Sequence, residues 1–201
     1  PVVNSTAGYG LLFDAGCAMM FKDNSEGSFV ELEAAKQIDY YFMKGRTMDA
    51  VVANYRLLTG NSPMMPLYLF GYIQSKERYV SSDDLIHTLK EYRQRQIPID
   101  MIVQDWNYWP QGQWGSMSMN PEFYPDKRKL ADEIHSLHAK LMISIWPNAM
   151  NCPQQEDFKR KGLLLNGTSV YDAFNPSARE LYWSYANKEF FSNGFDAWWC
   201  D

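Results

Sequence analysis

Two aspartates follow apolar runs that have the composition of buried strands. Asp105 comes two residues after the run Met101–Val103, and Asp201 directly follows the stretch Phe195–Cys200. A carboxylate at the end of a rigid strand can accept hydrogen bonds from a diol, hold a proton, or attack a carbon at a fixed angle. A helix cap or structural ion pair is the alternative role for Asp105, and an ordinary terminal acid is the alternative for Asp201.

Aromatic residues are frequent, at 15% of the chain, with 7 Trp, 13 Tyr and 11 Phe. Many stand beside acids or amides in three clusters, at residues 104–109, 112–114 and 198–201. A ring offers a flat apolar surface and a carboxylate or amide offers directional hydrogen bonds, and a sugar needs both. Filling a large core is the alternative use of these rings, but the three clusters together favour a carbohydrate ligand.

The composition excludes several classes of protein. The 201 residues carry 19 basic and 24 acidic side chains, and 46% of them are hydrophobic. This mild acidity argues against a nucleic-acid partner, which needs a basic stripe, while the apolar content suffices for a packed core. No apolar run approaches the roughly 18 residues of a membrane span, so we expect no membrane partner. The N-terminus has neither a signal-peptide pattern nor an initiator Met, and we expect the chain to be part of a longer one.

The metal-ligating residue types do not form a site. The three cysteines lie far apart and form no CxxC pair: Cys17, Cys152 and Cys200. His135 and His138 have the spacing of one helix face, but no carboxylate completes a metal site. We expect these histidines on the outside of a helix, and we predict neither a metal nor an organic cofactor.

The first part of the chain has the pattern of β structure followed by one helix. The segment 29–33 alternates in polarity, and the segment 38–43 is rich in β-branched and aromatic residues. Too few strands are present for two complete sheets, so residues 1–62 are interpreted as the end of a β-sandwich plus a linker helix. The helix is predicted from Thr47 to Thr59, with Gly60 as its C-terminal cap and an apolar stripe at Met48, Val51, Val52, Tyr55 and Leu58.

Residues 63–201 alternate between strand and helix patterns. The predicted strands are Leu67–Phe70, Ile99–Val103, Leu141–Ile145 and Phe195–Cys200. The predicted helices begin near Ser81, Asp126 and Asn175, where a capping side chain precedes an apolar stripe. Such alternation indicates parallel βαβ units. The segment 71–74 is not the glycine-rich turn of a doubly wound fold, and polar residues follow the strands, so we predict the first half of a (β/α)8 barrel.

Several motifs, taken in order along the chain, resemble glycoside hydrolase family 31, and in particular its bacterial α-xylosidase and α-glucosidase branch. The segments that carry the resemblance are residues 71–79, 102–106, 142–147 and 196–201. Upstream, residues 4–10 resemble the end of that family's N-terminal β-sandwich, and residues 40–42 and 54–60 resemble its linker. The resemblance covers essentially the whole chain.

The resemblance implies a retaining exo-α-glycosidase that cleaves α-xylosidic or α-glucosidic bonds at the non-reducing end of an oligosaccharide. Asp201 matches the catalytic nucleophile, and Asp105 matches the acid that binds sugar hydroxyls in the −1 subsite. Trp146 and Trp199 match positions that line this subsite, and Trp106 adjoins Asp105 as a further substrate-binding candidate. In the family the general acid/base lies downstream of the nucleophile, so we expect these 201 residues alone to be inactive.

Two rival functions remain open at this point. A non-catalytic carbohydrate-binding protein would use the same aromatic residues and Asp105. An α-transglycosylase or an α-galactosidase of the same fold would share the nucleophile. The residues leave the sugar in the −1 subsite and the oligomeric state undetermined, and a periplasmic or extracellular location is expected only because related enzymes trim plant oligosaccharides there.

Overall fold

The computed structural model describes residues 1–201, and the chain forms two compact units, Pro1–Met64 and Met65–Asp201. The helices are all too short or too polar to cross a lipid bilayer. Each unit has its own sheet structure, antiparallel in the first and parallel in the second.

The first unit contains two small antiparallel sheets. Strands β1, β2 and β5 pair in the order β1-β2-β5, and β3 pairs with β4 as a hairpin. Their bounds are Val2–Ser5 (β1), Tyr9–Phe13 (β2), Met19–Asn24 (β3), Gly27–Leu32 (β4) and Tyr40–Lys44 (β5). Gly27 has a φ of +128°, a conformation that favours glycine at the hairpin turn.

Helix α1, Met48–Thr59, forms where its capping signals predict it. The Thr47 hydroxyl accepts the backbone N–H of Ala50, and Gly60 ends the helix with a φ of +87°. The predicted apolar stripe is largely wrong, because Val51 is buried whereas Met48, Val52 and Leu58 are exposed. A helical period alone therefore identified the helix but not the surface that it buries.

The second unit contains four parallel strands in sequential order, β6-β7-β8-β9. Their bounds are Ile73–Gln74 (β6), Met101–Gln104 (β7), Lys140–Ile145 (β8) and Ala197–Cys200 (β9). This order confirms the predicted parallel α/β arrangement, since each βα step places the next strand beside the last.

The first predicted strand is wrong. Residues Leu67–Phe70 form a 3-10 turn after Pro66, with the N–H of Leu69 bonded to the Pro66 carbonyl. The apolar side chains that suggested a buried strand are exposed, by 86% at Leu67 and 73% at Phe70. The strand begins only at Ile73, where pairing with Met101 of β7 becomes available.

Four helices belong to the second unit: α2 (Ser82–Gln94), α3 (Lys127–Ser136), α4 (Pro153–Arg160) and α5 (Pro176–Glu189). The predicted starts of α2, α3 and α5 are confirmed, because Ser81, Asp126 and Asn175 each accept a backbone N–H of the first turn. Helix α4 was not predicted. The buried side chains of α5 are Ala178, Tyr182 and Ala186.

Alternate residues of the parallel strands face two different environments, because successive side chains of a strand point to opposite sides. One side joins the core with the helices and includes Ile102, Leu141, Ile143 and Ile145. The strand register places the other residues in rows on the opposite side, which we call the site face: Met101, Val103, Met142, Ser144, Ala197 and Trp199. The predicted functional residues lie at the C-terminal end of this face.

Candidate functional site

Asp105 and Asp201 project from the same face of the parallel sheet. The Asp105 carboxylate bonds to the hydroxyl of Ser144, which belongs to the site face. Asp201 stands two residues after Trp199, and its N–H continues the ladder by bonding to the Ile145 carbonyl at 2.9 Å. Asp105 follows β7 and Asp201 follows β9, and β8 lies between these two strands. The backbones of β7 and β9 are therefore about 10 Å apart, which leaves room for a small ring between the two side chains.

The Asp105 carboxylate is anchored through one of its two oxygens. Oδ1 accepts the Ser144 hydroxyl at 2.8 Å and the N–H of Trp106 at 2.8 Å. Oδ2 accepts no hydrogen bond from the protein, and Asp105 takes part in no salt bridge and caps no helix. The structural alternatives considered for this residue are therefore absent, and one anionic oxygen is available for a ligand donor.

Ser144 is a site residue that the sequence prediction missed. Its side chain is fully buried, and its carbonyl accepts the Tyr108 hydroxyl at 2.9 Å. Burial raises the pKa of Tyr108 well above its ordinary value, which keeps that hydroxyl protonated as a donor. The signal in the sequence was a hydroxyl side chain inside the otherwise apolar run Leu141–Ile145.

Four tryptophans from the loops that follow β7 and β8 pack together. Trp109 and Trp114 meet edge to face at 5.3 Å between ring centroids, and Trp109 meets Trp146 in the same way at 5.4 Å. Trp114 also contacts Trp106 and Trp146, each at 5.9 Å. The structure thus brings together the predicted Trp106 and Trp146 through two tryptophans of the loop that follows β7.

A close backbone approach joins the loops that follow β7 and β8. Gly115 has a φ of +66°, and a Cβ at this position would lie 2.1 Å from the carbonyl oxygen of Asn148. The N–H of Met150 bonds to the Trp114 carbonyl at 2.8 Å. Only glycine permits this geometry, so Gly115 fixes the distance between the two loops that carry the tryptophans.

Trp199 is not part of the tryptophan cluster. It lies on the site face in the row of Ser144 and is 43% exposed. Its neighbour Trp198 points to the other side, where it meets Trp183 at 5.6 Å between centroids. Asp201 is also exposed and forms no salt bridge, so nothing in the described chain neutralises its carboxylate.

A second polar cluster lies at the opposite, N-terminal end of the strands. Asp196 accepts His135 Nε2 at 2.7 Å, Lys140 Nζ at 3.0 Å and the N–H of Leu141 at 2.9 Å. Burial raises the pKa of the Asp196 carboxyl, but these three bonds outweigh burial and lower the pKa below its ordinary value. The cluster ties β8 to β9 and faces away from the candidate site.

The two histidines considered as metal ligands do not share a helix face. His138 lies beyond the end of α3 with a φ of +56°, whereas His135 is in the helix and bonds to Asp196. No group of three or more His, Cys, Asp or Glu side chains is arranged to hold a metal ion.

An apolar cavity adjoins the tryptophan cluster on the side of α4 and α5. Its walls include Trp146, Phe158, Tyr171 and Tyr182, and neither Asp105 nor Asp201 lines it. The Tyr182 hydroxyl donates to the Trp146 carbonyl at 2.8 Å from this side. The Tyr182 bond therefore holds the Trp146 backbone from the side of the cavity, whereas the carboxylates lie on the site face.

The arrangement suits a polyhydroxylated ring. Anionic oxygens at the strand ends can accept hydroxyl hydrogens, and exposed parts of tryptophan rings can contact the apolar side of the ring.

The chain is similar to one family of known proteins. The model of the glycosyl hydrolases family 31 TIM-barrel domain matches residues 62–201. The alpha-xylosidase of Saccharolobus solfataricus is 40% identical over 202 residues, which is 100% of this chain and 28% of that protein. The chain thus spans less than a third of the length of this relative.

Solved structures give the same result. A family 31 alpha-xylosidase from Xanthomonas citri has a TM-score of 0.79 and 38% identity, covering 86% of this chain and 20% of its own. A family 31 alpha-xylosidase from a soil metagenome, solved with xylose, has a TM-score of 0.78 and 26% identity, covering 100% of this chain and 32% of its own.

Proposed function

Because this chain belongs to glycoside hydrolase family 31, we propose that it forms the first half of the catalytic barrel of a retaining exo-α-glycosidase. Residues 63–201 would supply the first four βα units of the eight, and residues 1–62 the end of the preceding β-sandwich domain with its linker helix. The protein would remove α-xylosyl or α-glucosyl groups from the non-reducing end of oligosaccharides. The identities of 40% and 38% with two alpha-xylosidases favour xylosyl substrates.

One observation carries this proposal: Asp105 and Asp201 project from the C-terminal end of one sheet face, which also carries Trp199. In a (β/α)8 barrel this end of the strands holds the active site. Asp105 Oδ2, which has no protein partner, would accept sugar hydroxyls in the −1 subsite. Trp106, Trp146 and Trp199 would line the subsite.

The proposed reaction proceeds in two displacements. An Asp201 oxygen attacks the anomeric carbon while the bond to the leaving oxygen breaks, and a second carboxyl about 5–5.5 Å away protonates that oxygen. The resulting glycosyl ester is then opened by water, whose proton returns to the second carboxyl, so that the anomeric configuration is retained. This second carboxyl would come from barrel units outside these 201 residues. Carboxylates and water suffice, and no cofactor takes part.

The experiment uses the complete protein that contains this chain. An aryl α-xyloside and an aryl α-glucoside are hydrolysed by the wild type and by Asp201→Ala, with Asp132→Ala as a control on the exposed side of α3. Asp201→Ala should lose at least about 1,000-fold in kcat, in the range measured for removal of a nucleophile or its partner. A fluorinated glycosyl fluoride should label Asp201, which mass spectrometry of the peptide detects.

Four outcomes would contradict the proposal or a part of it. Inversion of the anomeric carbon, followed by NMR, would exclude the double displacement. A label on another residue would exclude Asp201 as the nucleophile. Tight binding of xylose by a wild type that hydrolyses neither glycoside would support a non-catalytic carbohydrate-binding protein instead, and oligosaccharide products larger than the substrate would support a transglycosylase.

A further inference from the structure

We propose that Ser144 is a positioning residue that orients the Asp105 carboxylate toward the sugar. This inference rests on the proposed function, because it concerns the residue that would bind the sugar hydroxyls. Ser144 bonds to Oδ1 of Asp105 and not to Oδ2, the oxygen that would face the sugar. Its effect on the sugar would therefore pass through the Asp105 carboxylate.

The orientation follows from the two donors on one oxygen. The torsion that rotates a carboxylate about its bond to Cβ has broad minima, so an isolated aspartate samples many orientations. In this site Oδ1 accepts the N–H of the next residue, Trp106, and the hydroxyl of Ser144 on the neighbouring strand, both at 2.8 Å. Bonds from two directions fix the plane of the carboxylate, and Oδ2 remains free for a ligand. Hydrogen bonds to a carboxylate are stronger than those between neutral groups.

Ser144 is itself held in place on three sides. Its Cα pairs with Trp199 of β9, and its strand pairs with β7 on the other side. Its carbonyl accepts the buried Tyr108 hydroxyl. The serine side chain is fully buried, and a buried hydroxyl without an acceptor is costly, so the bond to Asp105 persists. The position of β8 therefore determines the orientation of the Asp105 carboxylate at the end of β7.

The alternative is that Ser144 merely contributes to stability. Ser116 provides a matched control, because it is equally buried and its hydroxyl donates to Gln154 at 3.2 Å, away from Asp105. Removing either hydroxyl should lower stability to a similar extent. Only Ser144→Ala should change kcat and KM for the substrate.

The test is a double-mutant cycle in the complete protein, with kcat and KM measured on an aryl α-xyloside. Ser144→Ala should lower kcat/KM by about 10–100-fold, by analogy with the partners that orient metal ligands, and Ser116→Ala by less than about 2-fold. In an Asp105→Ala background, Ser144→Ala should add less than about 2-fold, because the group through which it acts is gone. Ser144→Thr, which keeps the hydroxyl, should recover most of the loss and also serves if the alanine variant does not fold.

Additive effects of the two substitutions, or an equal loss in Ser116→Ala, would overturn the positioning role while leaving the glycosidase proposal intact. If the wild type hydrolyses no glycoside, the proposed function fails, and the same variants are then compared for xylose affinity by calorimetry. In that case a loss confined to Ser144→Ala and absent in the Asp105→Ala background supports the positioning of a binding carboxylate. Unchanged affinity, or no binding of xylose by the wild type, refutes it.

Discussion

Replacing Gly115 with alanine tests whether the two loops of the candidate site depend on one close backbone contact. Alanine at this position incurs two separate costs. The left-handed backbone, at a φ of +66°, costs an L-residue about 1–2 kcal/mol. The added Cβ would also lie 2.1 Å from the Asn148 carbonyl oxygen, and displacing a packed backbone costs about 1–3 kcal/mol more. The total predicted destabilisation is about 2–5 kcal/mol.

Gly112 in the same loop provides the matched control. Its φ is +79°, but a Cβ at this position would meet no atom within 4 Å. Gly112→Ala should therefore cost only the left-handed term of about 1–2 kcal/mol. The difference between the two variants isolates the contact between Gly115 and Asn148.

The assay is denaturant unfolding of the complete protein, followed by tryptophan fluorescence. The indoles of Trp114 and Trp146 contribute to this emission and report on the packing between the two loops. Gly115→Ala should shift the midpoint further than Gly112→Ala and should alter the native emission spectrum, because the two indole rings would separate. Equal shifts for both variants, with unchanged native spectra, would refute the reasoning that this contact sets the distance between the loops.

Three further predictions concern stability, each measured by thermal or denaturant unfolding. Asp196→Asn should cost about 1–3 kcal/mol near pH 7, and this difference should begin to shrink only as the pH falls below about 4. The direction of this pH dependence follows from the lowered pKa of Asp196, because the stabilisation is present above the pKa of the unfolded state and is lost as the pH falls through the pKa of the folded state. A stability difference that stays constant with pH would contradict this prediction. Tyr182→Phe should cost about 1–2 kcal/mol, since the buried hydroxyl no longer serves the Trp146 carbonyl, and no loss would show that this bond is dispensable. Ser81→Ala should cost about 1 kcal/mol through loss of the cap on the Asp84 N–H, whereas Ser81→Asp should not.

Local capping signals made much of the second unit predictable. Ser81, Asp126 and Asn175 each marked a helix start correctly, because a capping side chain acts within one turn and needs no tertiary partner. Helix α4, Pro153–Arg160, escaped prediction because it carries little apolar pattern, with Phe158 as its one buried hydrophobic side chain. The segment Leu67–Phe70 was misassigned because an apolar run has no period that separates a strand from a turn.

The site shows the same division between local and long-range information. The positions of Asp105 and Asp201 at strand ends followed from the apolar runs before them. The partner of Asp105, Ser144, could not be found this way, because 39 residues separate them and the contact depends on the register between β7 and β8. The tryptophan cluster likewise depends on the Gly115 approach, which the sequence alone does not reveal.

The sequential order of β6 to β9 has a consequence for how this sheet could assemble on the ribosome. Each of these strands pairs with the strand synthesised before it. The edge of the growing sheet is therefore always available for the next strand of the nascent chain to pair with. Among the pairings of β6 to β9, none requires a strand to insert between two others. The entropy cost of closing each loop is therefore met by one crossover connection at a time. A vectorial route of this kind would complete the Asp105–Ser144 contact as soon as β8 docks, before β9 leaves the exit tunnel.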